Sequence, residues 1–503
     1  MELSNNFFSF TLMASFLFLW LLFKIVKTWN TSKTSNANLP PGPWRLPLIG
    51  NIHQIISCPL PHRSFKTMAQ KYGPMMYLKL GEVPYIIVSS PEIAKEIMKT
   101  HDLSFCDRPS LMLPTIFSYN GTDILYSRYG EPWRQLRKIC GTELLSPKRV
   151  QSFRSIREEE VGDLVKSIAA SEESVVNLSH KISDMTHAFV ARAAFGKRIK
   201  HQQAFRSAID EISILLGGFC IADLYPSIKM LQSMSMAKTK FEKLHKEVDV
   251  IMQDVVDDHR SVHRNVSKDE DIVDALLQIQ RESEQSQHPV TDINIKSIIL
   301  DMFSAGSETS SGFMGWCISE IIKNPKVMEE AQAEVRRVYD KKGYVDETEL
   351  HQLIYLKCVI KETLRLHPHA PLLLPRECRE RCQISGYDIP AKAMVLINAW
   401  AIGRDPRYWV DAESFKPERF LNSTIDFKGT DFEFIPFGAG RRICPGIGFV
   451  VAIIELTLAQ LLYHFNWKLP NDMKNEELDM TESPGVTVTR KHDLCLIPII
   501  RRL

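Results

Sequence analysis

The sequence lacks any strong excess of charge of one sign. Lysine and arginine together number 62 and aspartate and glutamate number 60, which gives a formal net charge of +2. Proteins that bind nucleic acid present an excess of positive charge to the phosphate backbone. The near balance of charges therefore argues against a nucleic-acid partner.

Cysteine pairs of the kind that bind zinc are also lacking. The chain has ten cysteines, and the only two that lie close together in sequence are Cys378 and Cys382. A single C-x-x-x-C without histidine partners is weak evidence for a metal site, so we interpret both as ordinary residues. Scattered cysteines are typical of a reducing compartment. No internal repeat or low-complexity tract is visible.

One long apolar run stands near the N-terminus. Phe7–Val26 is long enough for a helix to cross the hydrocarbon core of a membrane. Lys24, Lys27 and Lys33 lie at its end or beyond it, and Glu2 is the only charged side chain before it. By the positive-inside rule the rest of the chain lies in the cytosol. A cleaved signal peptide is the alternative, but the length of the run and its missing basic flank favour an uncleaved anchor.

The segment that follows is polar and then rich in proline. Residues 28–38 are mostly serine, threonine and asparagine, and Leu39–Pro43 reads LPPGP. Proline restricts its own φ and that of its predecessor, so this stretch is expected to be a stiff hinge. A proline-rich peptide ligand is the alternative, but the repetition typical of such ligands is missing. We expect an anchor over residues 1–27, a linker and hinge over residues 28–43, and a catalytic body over residues 44–503.

The body shows mixed secondary-structure signals. Met76–Gly81 and Tyr85–Ser89 predict two strands joined by a turn. Phe105–Ser127 has no clean periodicity and is expected to be a functional loop. Residues 150–281 are mostly of the amphipathic helical type.

A short segment, residues 436–446, places a single thiol among glycines and prolines. Glycines flank Cys444 on both sides, and an apolar run over residues 447–462 follows. Main-chain amides and a helix start behind a sulfur favour the thiolate. A nucleophilic cysteine needs a histidine base, and none lies nearby in the sequence. Haem iron, for which cysteine thiolate is a known axial ligand, is the better interpretation, and a glycine-rich loop with a buried cysteine is the alternative.

A long helix is predicted from Asp292 to Asn324, and at about 45 Å it is expected to run through the centre of the body. Within it, Gly306 costs about 1 kcal/mol relative to alanine. The Thr309 hydroxyl can bond to a main-chain carbonyl, and together these residues are expected to open space in the helix. Without the thiol segment, a helix-packing site with an exposed Glu308 would be the preferred interpretation.

Four motifs occur in the order found in one protein family. They are Ala305–Thr309, Glu362-x-x-Arg365, Pro417–Phe420 and Phe437-x-x-Gly440-x-Arg442-x-Cys444-x-Gly446. With them the chain resembles the cytochrome P-450 monooxygenases from its anchor to its C-terminus. The resemblance implies a mainly α fold with small β-sheets, preceded by one N-terminal transmembrane helix. It overrides the expectation of two or more domains that a length of 503 residues would give.

The resemblance also implies which residues hold the cofactor. The Cys444 thiolate is expected to be the axial ligand of the iron in haem b, and Phe437 belongs to the same loop. The residues expected to bind the haem propionates are Trp133, Arg137, Arg376 and Arg442. Taken alone, a tryptophan–arginine pair is more often surface cation–π packing.

Two further groups of residues are assigned by the same resemblance. Glu308 and Thr309 are expected to relay protons during the activation of dioxygen. Glu362, Arg365 and Arg419 are expected to form a buried triad that braces the haem loop. An E-x-x-R pair by itself is common on surfaces and would mean little.

The substrate pocket is expected to be apolar. The residues that the resemblance places there are Met112, Phe117, Leu215, Phe219, Met302, Ala305, Leu372, Leu374 and Val486. Their apolar character suits a hydrocarbon substrate. Without the resemblance, most of them would be interpreted as ordinary core residues.

Three further segments, Tyr387–Pro390, Ala399–Pro406 and Phe427–Phe434, resemble a large plant clade of microsomal enzymes. Many members of that clade oxidise sesquiterpenes or diterpenes, and others act on monoterpenes, alkaloids or flavonoids. We therefore expect insertion of one oxygen atom from O2 into a sesquiterpene or diterpene. The same chemistry on an alkaloid, a phenolic or a fatty acid is the alternative.

The resemblance implies partners and a location as well. Electrons are expected from NADPH through NADPH–cytochrome P-450 reductase, with cytochrome b5 as a second partner. The location is the endoplasmic reticulum membrane, in single-pass form with a cytosolic body. Two alternatives remain, a haem-thiolate isomerase or dehydratase and a haem sensor or carrier. Glu308 and Thr309 count against both, and NADPH consumption with the reductase would separate them from a monooxygenase.

Overall fold

The computed structural model describes residues 37–56, 58–196, 202–218, 220–261 and 270–502. The expected anchor over residues 1–27 and the pocket candidate Phe219 lie outside these ranges.

Helices make up most of the described body. The α-helices are α1 (Ile52–Ile55), α2 (Pro61–Tyr72), α3 (Pro91–Lys95), α4 (Asp102–Phe105), α5 (Met112–Phe117), α6 (Glu131–Ile139), α7 (Pro147–Ser152), α8 (Arg154–Ala169), α9 (Leu178–Phe195), α10 (Gln202–Leu216), α11 (Ile221–Leu224), α12 (Lys229–Ser233), α13 (Met236–Ser261), α14 (Ile272–Ser283), α15 (Asp292–Lys323), α16 (Pro325–Tyr339), α17 (Ile354–Leu366), α18 (Ala399–Ile402) and α19 (Ile447–His464). Turns of π-helix extend α3 and α6, over Glu96–Thr100 and Cys140–Leu144. Short 3-10 helices span Glu347–Gln352, Pro417–Phe420, Gly440–Arg442, Pro470–Asp472 and Asn475–Glu477.

The strands are short and form small sheets at the edge of the helical body. They are β1 (Met75–Leu80), β2 (Val83–Val88), β3 (Val176–Asn177), β4 (Arg376–Glu377), β5 (Cys382–Ile384), β6 (Tyr387–Ile389), β7 (Met394–Ile397), β8 (Phe465–Lys468), β9 (Glu482–Ser483), β10 (Thr489–Arg490) and β11 (Cys495–Ile500). The described sheets have the orders β1–β2–β7–β4, β3–β11–β8, β5–β6 and β9–β10. A mainly α fold with small sheets is therefore confirmed.

The four-stranded sheet holds one of the arginines expected at the haem. β1 and β2 form an antiparallel hairpin in which Met75 pairs with Val88, β2 runs parallel to β7, and β4 runs antiparallel to β7. Ile86 and Ile87 of β2 pack into different hydrophobic clusters, because successive side chains of a strand point to opposite faces. This buried sheet fixes Arg376 at the start of β4.

The central element is α15, whose start is set by local hydrogen bonds. The Thr291 side chain accepts a hydrogen bond from the main-chain N–H of Asn294, and the Asn294 side chain accepts one from the N–H of Thr291. Such a reciprocal cap satisfies donors that the first turn leaves free. The helix ends at Lys323, before Pro325, because proline disfavours the α conformation in its predecessor. Most of its side chains are buried on all sides, as expected of a helix in the centre of a protein.

The apolar helix α19 follows the thiol segment and packs in the main core, where Phe449, Ile453 and Leu456 are buried. Among the described residues it is the one helix that is long and apolar enough to cross a membrane. Its packing against α15 and α16 makes it a core element of the body.

One expectation about local structure needs correction, and a second segment shows a contact that the sequence did not predict. The segment Phe105–Ser127, expected to be a loop, contains α5, whose Leu113 and Phe117 are buried. A helix this short is stabilised by tertiary packing, which the sequence pattern does not reveal. The proline-rich segment is bound to the body, because the N–H of Tyr77 donates to the carbonyl of Pro41 at 2.9 Å.

Candidate active site

A cavity of about 330 Å³ lies where α15 passes the segment before α19. Its wall is mostly apolar, and it includes Cys444 together with Glu308 and Thr309 of α15. The thiol and the acid–hydroxyl pair are far apart in the sequence, and the fold brings them to one space.

Glycines shape the loop that carries Cys444. Gly438 and Gly440 have φ values of 74° and 68°, in the left-handed region where glycine meets no side-chain penalty. A Cβ at Gly440 would lie 2.1 Å from the carbonyl oxygen of Met98. The N–H of Cys444 donates to the carbonyl of Phe437 at 3.0 Å. This tight loop fixes the sulfur in the cavity wall.

Two opposing influences act on the Cys444 thiol. Burial raises its pKa, while the main-chain N–H of Gly446 and the Arg137 guanidinium act in the opposite direction. The main-chain amide therefore favours the thiolate in the direction expected from the sequence. A bound metal ion deprotonates a coordinating thiol outright, so haem iron would stabilise the thiolate further.

Three arginines line the cavity without a carboxylate partner among the described residues. They are Arg108, Arg137 and Arg442. Burial lowers the pKa of each guanidinium. Their hydrogen bonds go to main-chain carbonyls, those of Leu125, Leu374 and Pro375 for Arg108, that of Ile443 for Arg137, and those of Cys106, Ile124 and Ser127 for Arg442. Since buried charges are normally paired, the site has a deficit of negative charge.

This donor set fits haem b. The group carries two carboxylates, and its iron accepts a cysteine thiolate, while arginine forks match carboxylate geometry. Cys444 would hold the iron, and the three unpaired arginines would hold the carboxylates. Arg376 also lies in the wall, but it already pairs with Asp102 at 3.0 Å and donates to the Ala439 carbonyl at 2.8 Å.

Trp133 and Arg137 lie four residues apart on α6, and both reach the cavity wall. The Trp133 indole N–H donates to the carbonyl of Ile124 at 3.1 Å. The Arg442 guanidinium lies over the Trp133 ring, 4.1 Å from its centroid. The i, i+4 spacing thus places both side chains on one face of the helix.

On α15, Glu308 and Thr309 place a carboxylate and a hydroxyl side by side at the cavity. The Thr309 hydroxyl donates to the carbonyl of Ala305 at 2.5 Å. The Glu308 carboxylate accepts a hydrogen bond from the Thr487 hydroxyl at 2.8 Å. The acid is therefore tied to the turn between β9 and β10, whose residues also line the cavity.

Gly306 lines the cavity beside Glu308 and Thr309. α15 is continuous through this glycine, from Asp292 to Lys323. A Cβ at Gly306 would lie 3.4 Å from a methyl carbon of Val190, which is an ordinary van der Waals distance.

The structure brings Glu362, Arg365 and Arg419 together. Glu362 is fully buried, and Arg365 donates to both of its oxygens at 2.7 Å. Arg419 donates to the same carboxylate at 2.9 Å. Arg365 also donates to the carbonyls of Gly403 and Ala412 at 2.7 Å each. The cluster joins α17 to the chain that leads into the thiol loop.

Most of the expected pocket residues line the cavity. These are Phe117, Met302, Ala305, Leu374 and Val486. Met112 and Leu215 instead pack against the main core, and Leu372 packs beside the four-stranded sheet. Their neighbours Leu216 and Leu373 line the cavity. One step along a helix turns a side chain by about 100°, and Leu373 has a φ of 52°, which breaks the alternation expected of an extended chain.

Several residues of the wall were not identified from the sequence, above all Arg108, Asp301, Tyr126 and His369. Asp301 interrupts an apolar run of α15, and Arg108 stands in a segment of mixed character. Asp301 could have been identified from the sequence because it is a charged residue within an apolar stretch. Buried charged residues are rare unless they have a partner.

Comparisons with known proteins agree with this site. The family model described as Cytochrome P450 matches residues 40–496. Cytochrome P450 71D10 of Glycine max is 61% identical over 510 residues, covering 100% of this chain and 99% of that protein. Tabersonine 16-hydroxylase 2 of Catharanthus roseus is 52% identical over 96% of each chain. Premnaspirodiene oxygenase of Hyoscyamus muticus is 48% identical, over 97% of this chain and 98% of that one.

A solved structure shows the same fold. A zebra fish cytochrome P450 with abiraterone superposes with a TM-score of 0.75 and 22% sequence identity. The match covers 88% of this chain and 99% of that one.

Proposed function

Because this chain belongs to the cytochrome P450 family, we propose that it inserts one oxygen atom from O2 into a sesquiterpene or diterpene. The chain is an oxidoreductase, a haem-dependent monooxygenase of plant specialised metabolism. The terpene substrate is the finer part of the proposal. An alkaloid, a phenolic or a fatty acid substrate is the alternative.

The apolar wall of the cavity is the observation that supports a terpene. Phe117, Met302, Leu374 and Val486 contribute apolar side chains. Burial of apolar surface is worth about 25 cal/mol per Å², and a hydrocarbon needs no hydrogen-bonding partner. A polar substrate would leave groups unpaired against such a wall, which costs free energy.

The side chains of the site can each be given a role. Haem, when bound, supplies the activation of dioxygen with electrons that NADPH provides through a reductase. Cys444 would hold the iron, and Arg108, Arg137 and Arg442 would neutralise the haem carboxylates. Thr309 holds a hydroxyl proton at the cavity, with Glu308 as the acid beside it. The apolar side chains orient the substrate and exclude bulk water.

We also propose the location and the redox partners. The apolar run before residue 27 would anchor the chain in the endoplasmic reticulum membrane, with the body in the cytosol. NADPH–cytochrome P450 reductase would be the electron donor, with cytochrome b5 as a second donor.

The substrate class is tested by co-expression of the full chain with the reductase and a panel of terpene synthases, with products identified by mass spectrometry. We expect an oxygenated terpene whose formation depends on NADPH. Cys444→Ser is the inactive control, because serine does not supply a thiolate. Oxidation of an alkaloid, phenolic or fatty acid panel with no terpene product would reject the terpene assignment. A product formed without NADPH would indicate an isomerase or dehydratase.

A further inference from the structure

Two buried aspartates meet beside the cavity, at the contact between α15 and a loop formed by residues 123–127. Asp301 belongs to α15 and is 2% exposed, and Asp123 begins the loop and is 0% exposed. Asp301 lines the cavity, about two helical turns before Glu308. Neither aspartate forms a salt bridge with any cation in the described part of the chain.

The two carboxyl groups differ in the donors that they receive. Asp123 Oδ1 accepts from the N–H of Ser127 at 2.7 Å and from the N–H of Tyr126 at 3.0 Å. The Ser127 hydroxyl lies 3.1 Å from the same oxygen. Asp301 Oδ2 accepts from the N–H of Ile124 at 3.0 Å. Asp301 Oδ1 is buried and has no hydrogen-bond partner within 3.5 Å among the described residues. The N–H of Leu125 also faces the Asp301 carboxyl group, and the Asp301 side chain contacts the carboxyl group of Asp123.

Two carboxylates in contact and away from water do not both ionise, because like charges repel strongly at low dielectric. Burial raises the pKa of Asp123 to about 6, while the hydrogen bonds from Tyr126 and Ser127 and the charge of Arg108 act in the opposite direction. These donors make Asp123 the member of the pair that more readily carries the negative charge. We propose that Asp301 is a neutral carboxylic acid that donates a hydrogen bond to the Asp123 carboxylate, and that this acid pair positions the 123–127 loop against the haem site and the substrate cavity.

The loop is the element through which the acid pair would act. Its N–H groups bond to the two aspartates, and its carbonyls bond to side chains that fit the haem carboxylates. The carbonyl of Ile124 accepts a hydrogen bond from Trp133 at 3.1 Å, that of Leu125 from Arg108 at 2.8 Å, and that of Ser127 from Arg442 at 2.6 Å. Ile124, Leu125 and Tyr126 also line the cavity. A shift of the loop would therefore disturb the propionate side chains and the substrate wall together, which makes Asp301 a positioning residue.

The charge state of Asp301 has a consequence for stability. Burial raises the pKa of Asp301, and the negative charge of Asp123 raises it further. The titratable groups facing the pair are Arg108, Arg442, Tyr126 and Cys140. Burial raises the pKa of the Tyr126 and Cys140 side chains, so both stay neutral, while Arg108 stabilises the Asp123 anion.

The sign of the pH effect follows from this shift. An aspartate in the unfolded chain has a pKa of about 3.9. Because the pKa of Asp301 is higher in the folded state, its contribution to stability is present at low pH. That contribution is lost as the pH rises from the unfolded value through the folded one.

Asp301→Asn is the decisive variant, because an amide donates to Asp123 and accepts from Ile124 as the neutral acid does. In infrared spectra of the full-length holoenzyme at neutral pH, we expect the carbonyl stretch of a protonated carboxyl group. It should shift in D2O and disappear in Asp301→Asn. Asp249→Asn is the matched control, since Asp249 bonds to Lys296 of α15 at 2.5 Å and its pKa is lowered by hydrogen bonds from Lys296 and Tyr119 despite partial burial. That variant should leave the band unchanged.

Stability and binding give two further measurements. As the pH rises, the free energy of unfolding of the wild type should fall more steeply than that of Asp301→Asn. Asp301→Asn should retain haem and substrate binding better than Asp301→Leu, because the amide keeps both hydrogen bonds of the neutral acid. Asp301→Leu leaves the buried Ile124 N–H without an acceptor and should weaken substrate binding about tenfold.

The proposal is overturned if the band persists in Asp301→Asn, or if Asp301→Asn weakens haem and substrate binding as much as Asp301→Leu does. It is also overturned if both proteins have the same pH dependence of stability. This inference rests on the proposed haem site only where it predicts an effect of the acid pair on haem and substrate binding. The infrared band and the stability curve do not involve the substrate, so they separate this inference from the terpene assignment.

Discussion

Thr309 and Ser310 are neighbouring hydroxyl residues that make the same local hydrogen bond and face different surroundings. Thr309 donates to the carbonyl of Ala305 at 2.5 Å, and Ser310 donates to that of Gly306 at 2.6 Å. Thr309 lines the cavity, whereas Ser310 is buried on another side of α15. A comparison of variants at the two positions therefore distinguishes a function at the cavity from a contribution to helix structure.

Replacing Thr309 by valine tests the proton relay. The shapes nearly match, so the variant should bind haem and substrate. Without the hydroxyl, proton delivery loses an ordered donor, and such assistance is worth about a hundredfold or more. We expect NADPH consumption to continue, with far less product per NADPH and more hydrogen peroxide. The measurement is the ratio of product formed to NADPH consumed.

Ser310→Ala is the control for this prediction, because it removes an equivalent hydroxyl–carbonyl bond away from the cavity. Its product-to-NADPH ratio should equal that of the wild type. If Thr309→Val also keeps the wild-type ratio with the true substrate, Thr309 is a packing residue.

At the scale of elements, the Glu362 cluster connects α17 to the segment before the thiol loop. Glu362 accepts hydrogen bonds from Arg365 and Arg419, and from the main-chain N–H of Lys416 at 2.8 Å. A buried carboxylate that satisfies two guanidinium groups holds these segments in one arrangement. The cluster lies away from the cavity, so its effect on the thiol loop would be indirect.

Glu362→Gln should destabilise the protein strongly. The change leaves the Arg365 charge buried without its anion, and breaking one partner of a buried pair costs about 3–5 kcal/mol. We expect a lower free energy of unfolding in denaturant titration and less haem retained by the folded protein. Glu158→Gln, which removes an exposed i, i+4 partner of Arg154 on α8, should change stability by about 1 kcal/mol or less. Equal effects of the two substitutions would reject a bracing role for Glu362.

At the scale of the whole molecule, the basic residues near α6 form the surface that we propose for docking of the reductase. They are Arg134, Lys138, Lys148 and Arg149. Arg134 pairs with Glu131, and Arg149 pairs with Glu270 at 2.9 Å. Lys138 and Lys148 are exposed and have no acidic partner within the described ranges. The two lysines are therefore the more available charges for an acidic partner.

Lys138→Glu should slow reduction by the reductase, because complementary charge mainly raises the association rate. We expect a reduced rate of electron transfer at low ionic strength and a weaker dependence of that rate on salt. Stopped-flow reduction under carbon monoxide measures both. Lys246→Glu, on the distant helix α13, is the control. Unchanged rates for Lys138→Glu at low ionic strength would reject this docking surface.

Deletion of residues 1–27 should release much of the protein from microsomes, because about twenty apolar residues supply most of the insertion free energy. Fractionation of membranes from an expression host measures the release. Complete retention of the truncated protein would show that other surfaces anchor it. N-glycosylation at Asn177 or Asn265, both in N-x-S sequons, would place the body in the lumen and contradict the proposed orientation.

Features determined by neighbouring residues were predictable from the sequence. The bounds of α15 were predictable because Thr291-Asp292 is a local start signal and Asn324-Pro325 is a local stop signal. The structure adds the hydrogen bonds between Thr291 and Asn294 that cap the start. The thiol loop was predicted because glycines at Gly438 and Gly440 permit a left-handed backbone. The four motifs of the sequence resemble those of the P450 family, and the family match confirms the resemblance.

Features that depend on distant contacts were decided only by the tertiary structure. Leu373 rather than Leu372 faces the cavity because a single positive φ reverses the alternation. Arg108 reaches the cavity because its loop packs against the chain at Leu374 and Pro375. Asp123 and Asp301 form a pair because folding brings together two carboxyl groups that are far apart in the sequence. A local pattern determines helix ends and turns, whereas the charge state and orientation of a buried side chain depend on neighbours that only folding supplies.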